Sequence, residues 1–382
     1  MKAIEKVKAL RDELSNAVFE REEQIVAMIA AILAGVHVLL LGPPGTAKSM
    51  LANLLCSAIE GGQFFQWLLT KFSTPEELFG PLSLKGLEND EYRRVTSGKL
   101  PEAHIAFLDE IFKANSAILN SLLTLINERK FHNNGHGQAV PLISCVGASN
   151  ELPQGEELGA LYDRFALRFW VDCLQDDNAF QTMLNSSPTT INTKLTLKDI
   201  EELQKAVEAV NVPQDVIDNI LAVRRELRLA GITVSDRRWK GAVKILKAYA
   251  VLDERDELTN DDLESLVNIL WNHPEQRNMI MKSVAPYANP FNKMAVEKLD
   301  AAKELYDNWT KQVYEAQNML DETSKNRVLQ EAALQTNGAL KEILKEIEKD
   351  LKDRPENRVR KLKETRDQIK KWQKEVIVSL GV

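Results

Sequence analysis

Residues 42–49 read Gly-Pro-Pro-Gly-Thr-Ala-Lys-Ser and follow the apolar run Val36-His37-Val38-Leu39-Leu40-Leu41 without a break. No other segment constrains the fold as tightly. A buried strand that runs into a glycine-bearing turn, with Lys-Ser opening the apolar helix Met50–Leu55, is the unit that cradles phosphate. Backbone N–H groups and the helix N-terminus converge there on an anion. The candidate nucleotide contacts are therefore Gly42, Pro43, Pro44, Gly45, Thr46, Ala47, Lys48, Ser49 and Met50. Lys48 is placed to reach the terminal phosphates, and the Ser49 hydroxyl to ligate Mg²⁺. The general pattern has Gly directly before the Lys, whereas this chain has Ala47. Ala fits if that residue has right-handed helical angles, where a Cβ costs nothing.

Sixty residues on, His104-Ile105-Ala106-Phe107-Leu108-Asp109-Glu110-Ile111 is an apolar strand ending in two acids. Open α/β sheets bind ligands at the carboxyl ends of their strands. Asp109 is thus a second candidate metal ligand beside Ser49, directly or through water, and Glu110 a candidate to polarise the attacking water. An acidic pair alone is a weak signal, but in this order after residues 42–49 it points to binding and hydrolysis of a nucleoside triphosphate.

The chain has 382 residues, 44% hydrophobic and 27% charged, as in ordinary soluble proteins, and is long enough for two or three domains. Its net charge of −7 argues against a constitutive nucleic-acid binder. The longest apolar stretch, Ile25–Leu41, contains Gly35 and His37 and reads as a helix followed by a strand rather than a membrane span. The charged start, Met1–Lys6, has no signal-peptide core, and Cys56, Cys145 and Cys173 read as buried, reduced thiols of a cytoplasmic protein. His132 and His136 flank Asn133-Asn134-Gly135 and read as hairpin residues rather than metal ligands.

Strand-like runs at 36–41, 64–72, 104–109, 142–149 and 165–173 alternate with helical periodicity at 48–59 and 114–128. That alternation predicts a doubly wound α/β domain with a five-stranded parallel sheet. Two polar excursions exceed what such a core needs: residues 79–100, and residues 129–141 with a hairpin around Asn134-Gly135. A Ser/Asn/Thr/Pro stretch near 185–193 marks a boundary, and residues 196–280 are helical throughout. Beyond them Ala295, Leu299, Ala302, Tyr306, Trp309, Val313, Ala316 and Leu320 keep heptad-like spacing, as do Leu340, Ile343, Ile347 and Leu351, then Val359, Leu362, Ile369, Trp372 and Val376. Three such segments predict an antiparallel helical hairpin or three-helix bundle, either a partner arm or a brace for the catalytic body. The expected division is 1–190, 191–280 and 281–382.

With these features placed, residues 15–275 resemble an AAA+ ATPase of the MoxR family, most like its RavA group. The resemblance is carried by Gly42–Ser49, Phe72–Ser83, Thr96–Ala103, Phe107–Ile111, Leu125–Arg129, Ala148–Pro153, Leu161–Phe165 and Ser235–Trp239. The family itself shows the Ala47 departure. What the resemblance implies for the fold is an α/β P-loop AAA+ core followed by an all-α lid and the C-terminal helices, with residues 79–100 as the helix-2 insert and 129–141 as the hairpin before sensor 1.

The resemblance also implies roles. Asn150 corresponds to the sensor-1 residue that orients the attacking water. Arg164 corresponds to the arginine finger delivered to a neighbouring subunit, with Arg168 its competitor, and Arg237 to sensor 2, with Arg238 its rival. Family members are ring-forming, typically hexameric, Mg²⁺- and ATP-dependent ATPases. They remodel or help assemble other proteins in a chaperone-like way, typically with a von Willebrand factor A (vWA) domain partner. The alternatives are a nucleic-acid motor of a related AAA+ clade and a nucleotide-gated scaffold with little turnover. Few basic residues in the hairpin, Arg129 and Lys130 at its base, speak against the motor.

Overall fold

A computed structural model describes residues 2–186, 189–288, 290–317, 322–352 and 356–379. Contacts divide the chain into two units, Met1–Ile217 with Arg228–Arg277, and Asp218–Leu227 with Asn278–Val382.

The first unit opens with helices α1 (Ala3–Ala17) and α2 (Glu22–Ala34). Gly35, at φ +64°, ends α2 in the left-handed conformation that lets the chain turn into β1 (His37–Leu41). Helix α3 (Lys48–Ser57) follows the phosphate loop, then β2 (Phe64–Leu68) and β3 (Ile105–Asp109). Helix α4 (Ser116–Glu128) leads to β4 (Ser144–Ser149), and α5 (Glu156–Tyr162) to β5 (Phe165–Trp170). The five strands form one parallel sheet in the order β2-β3-β4-β1-β5. Every residue of β1 and β4 is buried, as expected of central strands covered on both faces.

Two strands are shorter than their apolar runs. β2 lies at the sheet edge, so only Phe65 is fully buried. It stops at Leu68 because Ser73 Oγ accepts from Thr70 N–H and turns the chain, leaving Phe72 91% exposed. β5 likewise ends at Trp170, and Cys173 beyond it is exposed, which corrects the expectation of three buried thiols; Cys56 and Cys145 are buried.

Both excursions take definite shape. Lys130–Asn133 pairs antiparallel with His136–Ala139 across Asn134 (φ +53°) and Gly135 (φ +73°), the two positive angles that a tight hairpin turn needs. In the insert, Pro75–Phe79 and Leu84–Leu87 are short helices, and Leu82 bridges to Arg94. Asn133 and Asn134 side chains accept from the N–H groups of Arg94 and Tyr92, and Asn133 Nδ2 donates to Arg94 O, so hairpin and insert are stapled together.

Helix α6 (Leu197–Ala209) is followed in sequence by α7 (Gln214–Leu229), most of which falls in the second unit, and by α8 (Asp236–Leu252); α6 and α8 pack on α2. Lys6 of α1 pairs at 2.6 Å with Asp199, which also closes the Thr196 capping box of α6. Burial pushes the Asp199 carboxyl up, but its hydrogen bonds to Lys6 and Thr196 together outweigh that and hold it down at about 2.

In the second unit, α9 (Pro290–Gln317), α10 (Glu322–Leu351) and α11 (Glu356–Val378) each pack on the other two. Ala295, Ala302, Trp309, Leu340, Ile347, Leu362, Ile369 and Val376 form its core, with Tyr306, Val313, Ile343, Leu351 and Trp372 against it. Leu299 is only partly buried, and Leu320 lies outside the described residues.

Candidate nucleotide site

Sheet register brings the site together. Leu41 pairs with Ser149 and with Trp170, and Leu68 with Asp109, so the residues leaving β1, β3 and β4 emerge along one edge. Gly42 is required at the start of the loop: a Cβ there would lie 2.1 Å from the Val171 carbonyl oxygen, and its φ is +138°. Thr46 Oγ1 ties the loop by donating to Pro43 O at 3.0 Å.

Ala47 corrects the sequence expectation. It has φ +64° and ψ +18°, a left-handed conformation, directly before α3. An L-residue in that region costs roughly 1–2 kcal/mol, which is the physical reason for glycine in the general pattern. The site holds this strained residue in place.

Lys48 is buried, and its ammonium donates to Gly42 O and Pro43 O at 2.7 Å, to Thr46 Oγ1 at 3.2 Å and to Asn150 Oδ1 at 3.4 Å. Burial lowers its pKa, Asp109 and Glu110 oppose that, and the Arg21 charge adds to the lowering. Ser49 Oγ donates to Asp109 Oδ2 at 3.2 Å, while Asp109 Oδ1 accepts from Glu110 N–H at 2.9 Å. Met50 is half exposed and adds no polar side-chain group.

Glu110 also has a left-handed backbone, φ +51°, which turns its side chain off the strand line. Its Oε1 accepts from Asn150 Nδ2 at 2.5 Å, and Lys113 Nζ lies 3.2 Å from Oε2. Asn150 thus touches both the loop lysine and the acidic residue. A hydroxyl and a carboxylate already in contact, Ser49 and Asp109, are hard oxygen donors of the kind Mg²⁺ takes one or two at a time, keeping water and phosphate for its other positions.

Arg164 and Arg237 belong to a second group, and no hydrogen bond or ion pair joins either to Lys48, Asp109, Glu110 or Asn150 among the described residues. Asp163 organises this group. It accepts from Ser235 Oγ at 2.7 and 2.9 Å and from Arg237 Nη1 at 3.5 Å, while Ser235 Oγ caps α8 by accepting from Arg238 N–H. Arg164 donates to Ala160 O at 2.5 Å, and its buried Nε has no hydrogen-bond partner among the described residues.

The two rival arginines sit inside the fold. Arg168 is 0% exposed, lies 3.6 Å over the Tyr162 ring and donates to the carbonyls of Phe165, Trp271 and Tyr162. Burial pushes its pKa down to about 9. Arg238 is 2% exposed and donates to Trp271 O, Leu270 O and Asn272 Oδ1. Both pin the Leu270–Asn272 segment, and neither can reach a second molecule.

Two residues at or beside the site carried no sequence signal. Lys113, one turn after Glu110, looks like any surface lysine. Arg21 precedes an apolar helix amid other charges, yet it is 6% exposed.

A loop lysine, a strand-end acidic pair and a polar residue on the next strand, set on a β2-β3-β4-β1-β5 sheet and followed by a helical segment, define a P-loop protein of the AAA+ class. The chain belongs within that class to the MoxR family. Residues 5–208, over half of the chain, match the family model described as the MoxR domain in the MoxR-vWA-beta-propeller ternary systems, and residues 215–284 match that of an AAA lid domain. The chain is similar to two uncharacterized proteins of Methanocaldococcus jannaschii. One, MJ0812, is 40% identical over 294 residues, 76% of this chain and 78% of the relative; the other, MJ0079, is 39% identical over 302 residues, 78% and 79%. The crystal structure of a candidate ATPase from Cytophaga hutchinsonii superposes with a TM-score of 0.60 at 18% identity, covering 75% of this chain and 95% of that one, and so shares the fold.

Proposed function

We propose that the protein is a ring-forming, Mg²⁺-dependent ATPase whose hydrolysis drives remodelling or assembly of partner proteins, working with a vWA-domain component. The observation that carries the hydrolytic part is Asn150, which spans Lys48 and Glu110. In this reading Lys48 holds the β- and γ-phosphates, and Glu110 takes the proton as water attacks the γ-phosphorus and the bond to the bridging oxygen breaks, releasing ADP and phosphate. Asn150 orients Glu110 and that water. Ser49 and Asp109 would hold Mg²⁺, which supplies charge neutralisation to the phosphates. Arg164 is the finger delivered in trans and Arg237 the lid residue of the same subunit's site, a choice supported by the burial of Arg168 and Arg238. The vWA partner rests on the family that the chain belongs to, and the RavA grouping on the sequence segments alone.

Two observations weigh against the alternatives. Arg129, one of the two basic residues at the hairpin base, donates to Ile126 O, Gly35 O and Ile143 O and is unavailable to a phosphate backbone. A scaffold with little turnover would not need Asn150 and Glu110 in hydrogen-bond contact. The test is affinity capture with Glu110→Gln protein in ATP and Mg²⁺. A vWA-domain protein is expected to be retained with ATP and released with ADP, and Lys48→Ala should capture none. Capture independent of nucleotide in both forms would contradict the reading.

A further inference from the structure

Glu110 is only 9% exposed, and its two oxygens stand in different surroundings. Oε1 accepts from Asn150 Nδ2, whereas Oε2 is buried and accepts no hydrogen bond among the described residues. Lys113 Nζ stands 3.2 Å from Oε2, close enough for an ion pair but off the line of a hydrogen bond. Among the described residues no other cation forms an ion pair with Glu110. Lys48 is within electrostatic reach of Asp109 and Glu110, but its ammonium donates to Gly42 O, Pro43 O, Thr46 Oγ1 and Asn150 Oδ1.

The backbone fixes the Lys113 contact. Lys113 closes the 3₁₀ turn Ile111–Lys113, and its N–H donates to Glu110 O at 2.8 Å. Side chains three residues apart eclipse in that geometry, which sets Lys113 over Glu110. The two residues between them anchor the turn: Ile111 is fully buried, and Phe112 meets the Tyr162 ring edge-on at 6.0 Å. The Lys113 side chain is 40% exposed and that of Glu110 11%, so the ammonium keeps much of its water while the carboxylate does not. A desolvated carboxylate needs an opposite charge close by, and Lys113 supplies it.

We propose that Lys113 is a positioning residue for hydrolysis, holding the Glu110 carboxylate in place while leaving Oε2 open to the attacking water. The proposal rests on the reading of Glu110 as the group that activates water. Oε1 already accepts the Asn150 amide N–H, so Oε2 is the oxygen that takes the proton. Water attacks the γ-phosphorus, its proton passes to Oε2, and the bond to the bridging oxygen of the departing ADP breaks. Lys113 touches none of the reacting atoms. Asn150 on one oxygen and Lys113 beside the other restrain the carboxylate at two points, an orientation that a long side chain does not keep unaided and on which rate depends steeply.

The experiment measures ATP turnover and ATP binding by the full chain with Mg²⁺ in wild type, Lys113→Met, Lys113→Arg, Glu110→Gln and the double variant that joins Lys113→Met to Glu110→Gln. Lys113→Met should lower kcat at least tenfold and leave KM and ATP affinity within twofold. Lys113→Arg, which keeps the charge and the reach, should bring kcat back to within threefold of wild type. Because Lys113 acts through the Glu110 carboxylate, Lys113→Met should change the residual single-turnover rate of Glu110→Gln by less than twofold, a non-additivity that general loosening of the fold does not produce. If Lys113→Met does not fold, Lys113→Gln takes its place with the same expectations. The proposal is overturned, with the role of Glu110 intact, by a wild-type or raised kcat in the neutral variant, by ATP affinity falling as far as kcat, by no recovery in Lys113→Arg, or by a further tenfold fall in the double variant. Equal turnover by Glu110→Gln and wild type overturns the role of Glu110 and the proposal with it.

Discussion

Asn150 Nδ2 donates to Glu110 Oε1 at 2.5 Å, joining the residue after β4 to the residue after β3. The same amide's oxygen accepts from Lys48, so a single side chain fixes the separation of the proposed phosphate-binding and water-activating groups. Removing it should harm the reaction more than the binding. Asn150→Ala is expected to lower kcat about a hundredfold, in line with loss of a positioned acid–base contact, and to change KM only severalfold. Steady-state kinetics check this; an unchanged kcat would assign Asn150 a structural role.

Ala47 should tolerate glycine well. Relief of the left-handed penalty of roughly 1–2 kcal/mol is partly offset by the greater unfolded-chain entropy of glycine, about 0.4–1 kcal/mol. Ala47→Gly should therefore stabilise the nucleotide-free protein by about 0.5–1 kcal/mol in denaturant titration, and Ala47→Val should destabilise it. A destabilised glycine variant would show that the left-handed geometry carries no strain.

His37 makes a pH prediction. Burial, then the nearby Arg129 charge, holds its pKa well below the ordinary 6.5. Its Nδ1 accepts from Cys145 N–H, which leaves the ring neutral with its proton on Nε2. The unfolded chain binds a proton below about pH 6.5 while the folded protein does not, so this contribution to stability is complete above that pH. It is lost as the pH falls, by about 1.4 kcal/mol per unit. Relative to wild type, His37→Asn should flatten the loss between pH 6.5 and 5; parallel pH profiles would contradict it.

Much of this was legible in the sequence. Continuous apolar runs gave the buried strands β1, β3 and β4, and glycine and proline gave the loop between β1 and α3, because burial and backbone freedom leave marks in residue type. Heptad spacing gave the packed faces of α9 to α11 for the same reason. What residue type does not encode is which arginine is enclosed. Arg164 and Arg168 lie four residues apart, and only the packing of Tyr162 and Trp271 around Arg168 separates them. Nor does the identity of Ala47 announce a left-handed backbone, since the loop imposes it from outside. The exposure of Cys173 leaves no mark in residue type, because β5 ends at Trp170, three residues before the apolar run does. Arg21 and Lys113 are charged residues among others until the fold sets their surroundings.

The proposed trans role of Arg164 predicts complementation. Arg164→Ala and Lys48→Ala proteins should each be inactive alone. Mixed, they should regain part of wild-type turnover, because some interfaces then combine an intact loop with an intact finger. Turnover per subunit should also rise with protein concentration. Concentration-independent activity from a stable monomer would contradict the ring.

The most direct test pairs ATP binding with ATP turnover in wild type, Lys48→Ala and Glu110→Gln. The account predicts that wild type binds and hydrolyses ATP with Mg²⁺ and that Lys48→Ala does neither. Glu110→Gln should bind ATP as wild type does while turning over at least a hundredfold more slowly, because an amide cannot accept the proton of the attacking water. Equal turnover by wild type and Glu110→Gln would contradict the assignment of Glu110 and the catalytic account built on it.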